Sequence, residues 1–235
     1  MEKLRDRIDE NKLKQLRDSS FPKPIHAINF VEFKNSRYYS IYGLLFAPFA
    51  IFKNVRPIWV GLHESTITGE SYADEIVIAQ YPSRNILIDM FTGSFYEKIN
   101  GLREKGVKKL GFSICKKEFG NKIKKKKLLV LQFNHRHADT KAALDLFEKS
   151  AGKYCTVEYL AHEYGWLDIF KKTTDTDPVE VSAKNIALLS GDFGSINEWS
   201  PELRQDLEQN GFEIVSMQLF RTAGTWELMP WAKKH

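Results

Sequence analysis

The chain of 235 residues contains only two cysteines, Cys115 and Cys155, and they form no CxxC or Cys/His finger pattern. A zinc module or a disulfide framework needs more cysteines at closer spacing. The scarcity of cysteine therefore argues against both classes. It indicates reduced thiols, as expected for a cytoplasmic protein.

Long apolar segments are also lacking. The longest apolar run, GLLFAPFAIF at 43–52, is far shorter than the roughly 20 residues of a membrane-spanning helix. The first 20 residues, MEKLRDRIDENKLKQLRDSS, are charged throughout and lack the apolar core of a secretory signal. We therefore expect a soluble, cytoplasmic protein without a membrane partner.

Sequence motifs for common chemistries are absent as well. The chain has no phosphate-binding loop, dinucleotide fingerprint or nucleophile elbow. The net charge is +5, and its lysines are concentrated in KKEFGNKIKKKK at 116–127. Because no aromatic residues are interleaved with the final lysines, this segment is typical of a solvated linker, and we expect no nucleic-acid partner.

What the chain does contain is an alternation of strand and helix patterns that occurs twice. The predicted strands are 25–33, 56–66, 74–81, 111–115, 127–137, 154–164, 185–193 and 212–222. The predicted helices are 1–18, 38–52, 84–110 with a break at Thr92–Gly93, 141–151 and 200–210. After the first helix, each half therefore has the order β-α-β-β-α-β.

This order is typical of a ferredoxin-like module, a four-stranded sheet with helices on one face. The other face must be covered, and a tandem chain can pack its two sheets against each other. We therefore predict an α+β fold of tandem ferredoxin-like modules in a dimeric-α+β-barrel-type arrangement. The predicted division is an N-terminal helix at 1–21, a first module at 22–116, a lysine-rich linker at 117–126 and a second module at 127–235.

The segment YADEIVIAQYPSRNILIDMFTGSFYEKINGLREKGVKKL at 72–110, with NFVEF at 29–33, resembles the domain-of-unknown-function family numbered thirteen-thirty. That family, in the dimeric α+β barrel superfamily, shows a first-strand Asn, a Trp-Asp pair, an aromatic-Pro-Ser turn and a Tyr and an Arg seven residues apart. Ala73 replaces the tryptophan here, and the resemblance covers about residues 22–115. The matching residues are Asn29, Asp74, Tyr81, Pro82, Ser83, Tyr96 and Arg103.

The resemblance implies a fold more than a reaction, because the superfamily includes monooxygenases, haem-degrading enzymes, cyclases, isomerases and stress-responsive proteins. Our first hypothesis is a small-molecule-binding barrel, with chemistry of the cofactor-independent oxygenase, isomerase or cyclase type. The alternative is a non-catalytic interaction or stress-response module that dimerises through its sheet faces. A second alternative is a haem-binding tandem barrel, with His162 as an axial ligand.

We expect the pocket of the first module to lie between its sheet and helices. The candidate catalytic residues are His63, Asn29 and Tyr81. An imidazole with an ordinary pKa near 6.5 can act as a general base, and amide or phenol groups can donate hydrogen bonds to an oxyanion. His26 is a second histidine that can face this cleft.

The candidate binding residues of the same pocket are Tyr42, Tyr96 and Arg103. The guanidinium of Arg103 can bind a substrate carboxylate through two hydrogen bonds. The plainer interpretation is a salt bridge within the protein, to Asp74 or Glu75.

His135 and His137 are two residues apart on a predicted strand, so their imidazoles face the same side. They can hold a metal or transfer protons, with His162 and Glu163 as further ligands. Unliganded, exposed histidines are the plainer interpretation, so we expect no metal and no cofactor. We expect a small-molecule ligand, and either a monomer with internally paired modules or a homodimer.

Overall fold

The computed structural model describes residues 8–20, 23–69, 73–120, 123–165 and 181–228. The strands are β1 (Ile25–Phe33), β2 (Arg56–Thr68), β3 (Glu75–Tyr81), β4 (Val107–Gly120), β5 (Lys127–His135), β6 (Thr156–Gly165), β7 (Asn185–Ser190) and β8 (Phe212–Thr222). The helices are α1 (Glu10–Asp18), α2 (Ser36–Phe52), α3 (Arg84–Thr92), α4 (Ser94–Gly106), α5 (Thr140–Ala151) and α6 (Ile196–Gln209), and a 3-10 turn spans Thr225–Leu228.

Side-chain caps explain where several helices begin. Asn35 Oδ1 accepts from the backbone N–H groups of the first turn of α2, and Ser83 Oγ accepts from Ile86 N–H in α3. Asp139 Oδ1 does the same for α5, at 2.8 Å from Lys141 N. These contacts satisfy backbone donors that have no partner within the helix.

The strands form one closed barrel in the order β1-β3-β2-β8-β5-β7-β6-β4. Each module contributes four neighbouring strands, and the two antiparallel pairs β2–β8 and β4–β6 join the modules. Closure leaves neither sheet with an unpaired edge. The prediction of an α+β fold with tandem ferredoxin-like modules is confirmed, and the faces expected to be bare meet inside one chain.

Alternation along the strands divides the apolar residues between the barrel interior and two outer layers. In β1, Ile28 and Phe30 face the interior, whereas Ile25 and Ala27 pack against the helices of the first module. A third cluster, which includes Phe133, Phe147 and Leu203, lies under α5 and α6.

The fourth strand is longer than the sequence pattern indicates. The helix α4 ends at Gly106, where a Cβ would approach Tyr39 N to 2.5 Å, and β4 then runs to Gly120. Its last residues pair with β6, with Gly120 opposite Tyr159. Residues 117–120 of the predicted linker are therefore strand residues, because they help to close the barrel.

Several other predicted boundaries differ by a few residues; β7, for example, ends at Ser190 rather than at residue 193. The helix α6 begins at Ile196 rather than Ser200, so Pro201 lies in its second turn, where it lacks one backbone donor. The first seven residues of the predicted N-terminal helix lie outside the described residues. Within the described ranges, no helix is both long enough and apolar enough to span a membrane.

Candidate functional site

Most of the residues proposed from the sequence meet between the first sheet and its helices. Tyr39 and Tyr42 lie on α2, Tyr81 ends β3, and Tyr96 and Arg103 lie on α4. We call these five residues the tyrosine–arginine cluster. The rings of Tyr42 and Tyr96 meet edge to face, with their centroids 6.3 Å apart.

Three phenols of this cluster are held in the neutral form. Burial is the main cause that raises the pKa of Tyr39, Tyr42 and Tyr81 well above the usual value. The nearby Arg103 charge lowers the pKa of Tyr39 and Tyr42 by a smaller amount. Such phenols can donate hydrogen bonds at neutral pH but are poor general bases.

Arg103 is only 3% exposed, and its Nε donates to Asn100 Oδ1 at 2.8 Å. Asn100 Nδ2 in turn donates to Glu104 Oε1 at 2.8 Å. The charge of the Glu75 carboxylate raises the pKa of Tyr39, and the charge of Arg103 lowers it. Both charges therefore act on the same phenol. Tyr42 is 7% exposed and the other members are less exposed, except Tyr39, which is only partly buried. Four of the five side chains are therefore shielded from solvent in this conformation.

The structure separates the three candidate catalytic residues. Asn29 lies on the helix side of the sheet, as Tyr81 does, where its Nδ2 is 3.5 Å from Val77 O. His63 lies on the other side, because its ring packs edge-on against Phe220 in the barrel interior at a centroid distance of 5.4 Å. One pocket therefore does not contain all three, and their catalytic roles stay a prediction.

A second group of polar side chains faces the barrel interior, at the end where β5 and β6 finish. They alternate with apolar residues that point to the helices, and each is at most 7% exposed. We call this group the polar barrel end. Its members are Ser113, Gln132, Glu163 and Ser216.

Glu163 organises this end of the barrel. Its Oε2 accepts from Ser113 Oγ at 3.0 Å, and its Oε1 is 3.2 Å from Lys184 Nζ. The side chain of Glu163 is 3% exposed, whereas that of Lys184 is 45% exposed. A buried carboxylate is costly unless it is paired in this way.

A small cavity of about 10 Å³ lies at the polar barrel end. This volume is enough for roughly one water molecule. Opposite Gln132 on the next strand, the Ser216 hydroxyl is buried and has no hydrogen-bond partner among the described residues. The cavity lining comprises Ile28, Phe30, Ser113, Cys115, Gln132, Glu163, Ala183, Lys184, Asn185 and Ile186.

The opposite barrel end holds a buried histidine. His26 Nδ1 is 2.8 Å from the Tyr159 hydroxyl, and this contact links β1 of the first module to β6 of the second. Burial, with a smaller contribution from the charge of Lys117, lowers the pKa of His26 to about 4. His26 is therefore neutral at physiological pH and is not in the cleft suggested from the sequence.

His135, His137 and His162 lie near one another beside the second sheet. The ring centroid of His135 is 6.1 Å from that of His137 and 6.4 Å from that of His162. However, His137 Nε2 makes a hydrogen bond with Asn210 O, and His162 Nδ1 makes one with Asn185 Oδ1. Among the residues that the structure describes, no group of three or more His, Cys, Asp or Glu side chains is placed to hold a metal ion.

Haem does not fit the cavity at the polar barrel end. A ligand the size of haem needs several hundred Å³, whereas this cavity has about 10 Å³. His162, the candidate axial ligand, hydrogen-bonds Asn185 Oδ1 through Nδ1, and its ring centroid is 6.4 Å from that of His135.

The polar barrel end was missed by sequence reasoning, which considered Glu163 only as a metal ligand. The available signal was a single polar residue within an apolar strand, as at Gln132 in KLLVLQFNH. Such a residue indicates a polar position inside the barrel, but its partners are distant in sequence. Ser113 and Glu163, for example, are 50 residues apart.

No protein-family model matches the chain, and no curated protein is significantly similar to it in sequence. Several solved structures are similar in fold. A proposed chlorite dismutase has a TM-score of 0.54 and 9% identity, over 90% of this chain and 100% of that one. A proposed monooxygenase from Lactobacillus acidophilus has a TM-score of 0.51 and 12% identity, over 86% of this chain and 94% of that one.

A mutant chlorite dismutase from Candidatus Nitrospira defluvii, solved with cyanide, has a TM-score of 0.51 and 10% identity, over 93% of this chain and 98% of that one. At such low identity these similarities show the fold alone. The resemblance to the family numbered thirteen-thirty is not confirmed. The chain shares the α+β barrel fold of these structures, with both halves of the barrel in one polypeptide.

Proposed function

We propose that this chain binds a small, uncharged polar molecule at the polar barrel end. The observation that carries the proposal is the small cavity where Ser113, Gln132 and Glu163 meet beside the apolar side chains of Ile28 and Phe30. A buried polar group without a full set of hydrogen bonds costs about 1–3 kcal/mol. Polar groups retained at such a cost are typical of functional sites.

The charges at this site favour an uncharged ligand. Lys184 already compensates the charge of Glu163, so the lining has no net charge to offset that of an ion. Ser216 Oγ and the amide of Gln132 can exchange hydrogen bonds with hydroxyl, carbonyl or amide groups. A molecule larger than water requires the site to expand, and the partly exposed side chain of Lys184 is the part of the lining that can move outwards.

The test is a thermal-shift and ligand-observed NMR screen of the purified protein against uncharged polar molecules of about two to ten heavy atoms. The variant Gln132→Leu removes the amide without reducing side-chain volume much. We expect it to weaken binding of any molecule found by tenfold or more, which corresponds to about 1.4 kcal/mol. Gln80→Leu, at the opposite barrel end, is the matched control and is expected to bind normally.

Two results would oppose the proposal. One is the absence of any binder that stabilises the wild-type protein, and the other is equal binding by wild type and Gln132→Leu. Binding that is lost in Tyr42→Phe instead would move the site to the tyrosine–arginine cluster. That outcome would restore the pocket predicted between the sheet and the helices.

The interaction-module alternative has one observation in its favour, the apolar outer face of α2. That hypothesis assigned dimerisation to the sheet faces, but the two sheet faces already cover each other inside the barrel. A dimer would therefore have to form through another surface.

A further inference from the structure

Apart from the inward-facing Tyr42, helix α2 has no residue with a polar side-chain group between Ile41 and Phe52. Its inner side packs on α4 and the first sheet through residues such as Tyr42 and Ala50, which are 7% exposed. A helix that is apolar on all sides is normally buried on all sides. The outer side of α2 is therefore expected to be covered by another surface.

The outer side of α2 carries much of the exposed apolar surface of the described protein. Phe52 is 81% exposed, Ile51 is 61% exposed, and Leu44 and Leu45 are each 44% exposed. Away from α2, Phe119 is the large apolar side chain with comparable exposure in the described ranges, at 39%. Contiguous apolar patches of this kind mark interaction sites more often than isolated residues do.

The outer residues follow the spacing of a helix-pairing seam. They occur at intervals of three and four along the helix, which places them in one stripe. We call this stripe the α2 seam. Its members are Ile41, Leu44, Leu45, Pro48, Ile51 and Phe52.

We infer that the α2 seam is a homodimer interface, in which two copies of α2 pack antiparallel about a two-fold axis. A helical stripe of this periodicity is complementary to another helix, and an isologous pairing uses the same stripe twice. The seam exposes roughly 500 Å² per chain, so a symmetric pair buries roughly 1,000 Å² in total, near the lower limit for specific interfaces. The dimer is therefore expected to be weak and to dissociate on dilution.

The basic residues at the two ends of the seam predict how the dimer responds to salt. Arg37 lies at the start of α2 and Lys53 directly follows it, and both are exposed. Antiparallel pairing brings these basic ends together across the interface. Added salt screens like charges, so the dimer is expected to tighten between about 50 and 500 mM salt.

The test is sedimentation velocity from about 1 to about 200 µM protein, for the wild type and two variants. Leu44→Glu places a charge in the seam at an exposed position, so it is expected to leave the fold intact by circular dichroism. It should weaken dimerisation tenfold or more. Phe119→Glu is the matched control, an exposed apolar position outside α2, and should dimerise as the wild type does.

A wild type that stays monomeric over the whole concentration range overturns the inference, as does a dimer that Leu44→Glu leaves unchanged. The described chain ends in the 3-10 turn Thr225–Leu228, which lies against α2. A variant that ends at Leu228 therefore identifies a rival occupant. If it dimerises while the full chain does not, residues 229–235 cover the seam and the homodimer is excluded.

Discussion

A fall in pH from 8 to 5 is expected to destabilise the protein by about 2 kcal/mol through His26 alone. Burial lowers the pKa of His26 to about 4 in the folded protein, against an ordinary value of 6.5. Below pH 6.5 the unfolded chain binds a proton at this position and the folded chain does not. Stability is therefore lost as the pH falls from about 6.5 towards 4, and none of this loss occurs above that window.

The assay is urea unfolding of the wild type and His26→Gln at a series of pH values, followed by far-ultraviolet circular dichroism. Other groups also titrate, so the quantity to compare is the slope of the free energy of unfolding against pH in the wild type and in the variant. Because glutamine does not titrate, the variant should lack about 2 kcal/mol of the acid-induced loss at pH 5. Tyr159→Phe should keep the pH dependence, since burial is the main cause of the shift. Equal slopes in the wild type and His26→Gln would refute this reasoning.

Three further substitution and labelling results are expected. Phe220→Ala should lower the free energy of unfolding by about 3–5 kcal/mol because the ring is fully buried in the barrel, while Phe119→Ala, at an exposed position, should lower it by less than about 1 kcal/mol in the same urea titrations. Asp139→Ala should cost about 1 kcal/mol by removing the α5 cap, and Asp139→Asn, which can still accept these bonds, should cost much less in thermal unfolding. Burial raises the pKa of Cys155 to about 12 and that of Cys115 well above its usual value. A thiolate-specific reagent should therefore label both cysteines only after unfolding. Rapid labelling of the native protein would contradict their placement.

The fold could be predicted from the sequence because its signals are local. Strand and helix periods, the turn at Tyr81–Ser83 and the cap at Asp139 each involve a few neighbouring residues. Element order then indicated two ferredoxin-like modules, and the need to cover two bare sheet faces indicated a barrel. The length of β4 was underestimated because its last residues pair with β6, a contact that no local pattern encodes.

The candidate site could be predicted only in part. Tyr42, Tyr81, Tyr96 and Arg103 do come together, because each lies on a side of its helix or strand that the local period defines. Whether space remains between them depends on packing, which no local sequence pattern encodes.

His63 shows a different limit of sequence reasoning. Its predicted strand was right, but the side of the sheet that it faces depends on the register with β8, where it lies opposite Phe220. The polar barrel end could not be predicted because Ser113, Gln132 and Glu163 meet only when strands of both modules close into one barrel.

Binding of a small polar molecule at the polar barrel end can be followed by side-chain amide NMR. The protein would be titrated with the strongest binder from the screen while the side-chain NH₂ signals of Gln132 and Asn100 are observed. Gln132 lines the barrel cavity, whereas Asn100 hydrogen-bonds Arg103 in the tyrosine–arginine cluster. Binding at the polar barrel end should produce a saturable shift of the Gln132 signals and leave those of Asn100 unchanged. A shift at Asn100 with none at Gln132 would contradict it and place the ligand between the first sheet and its helices.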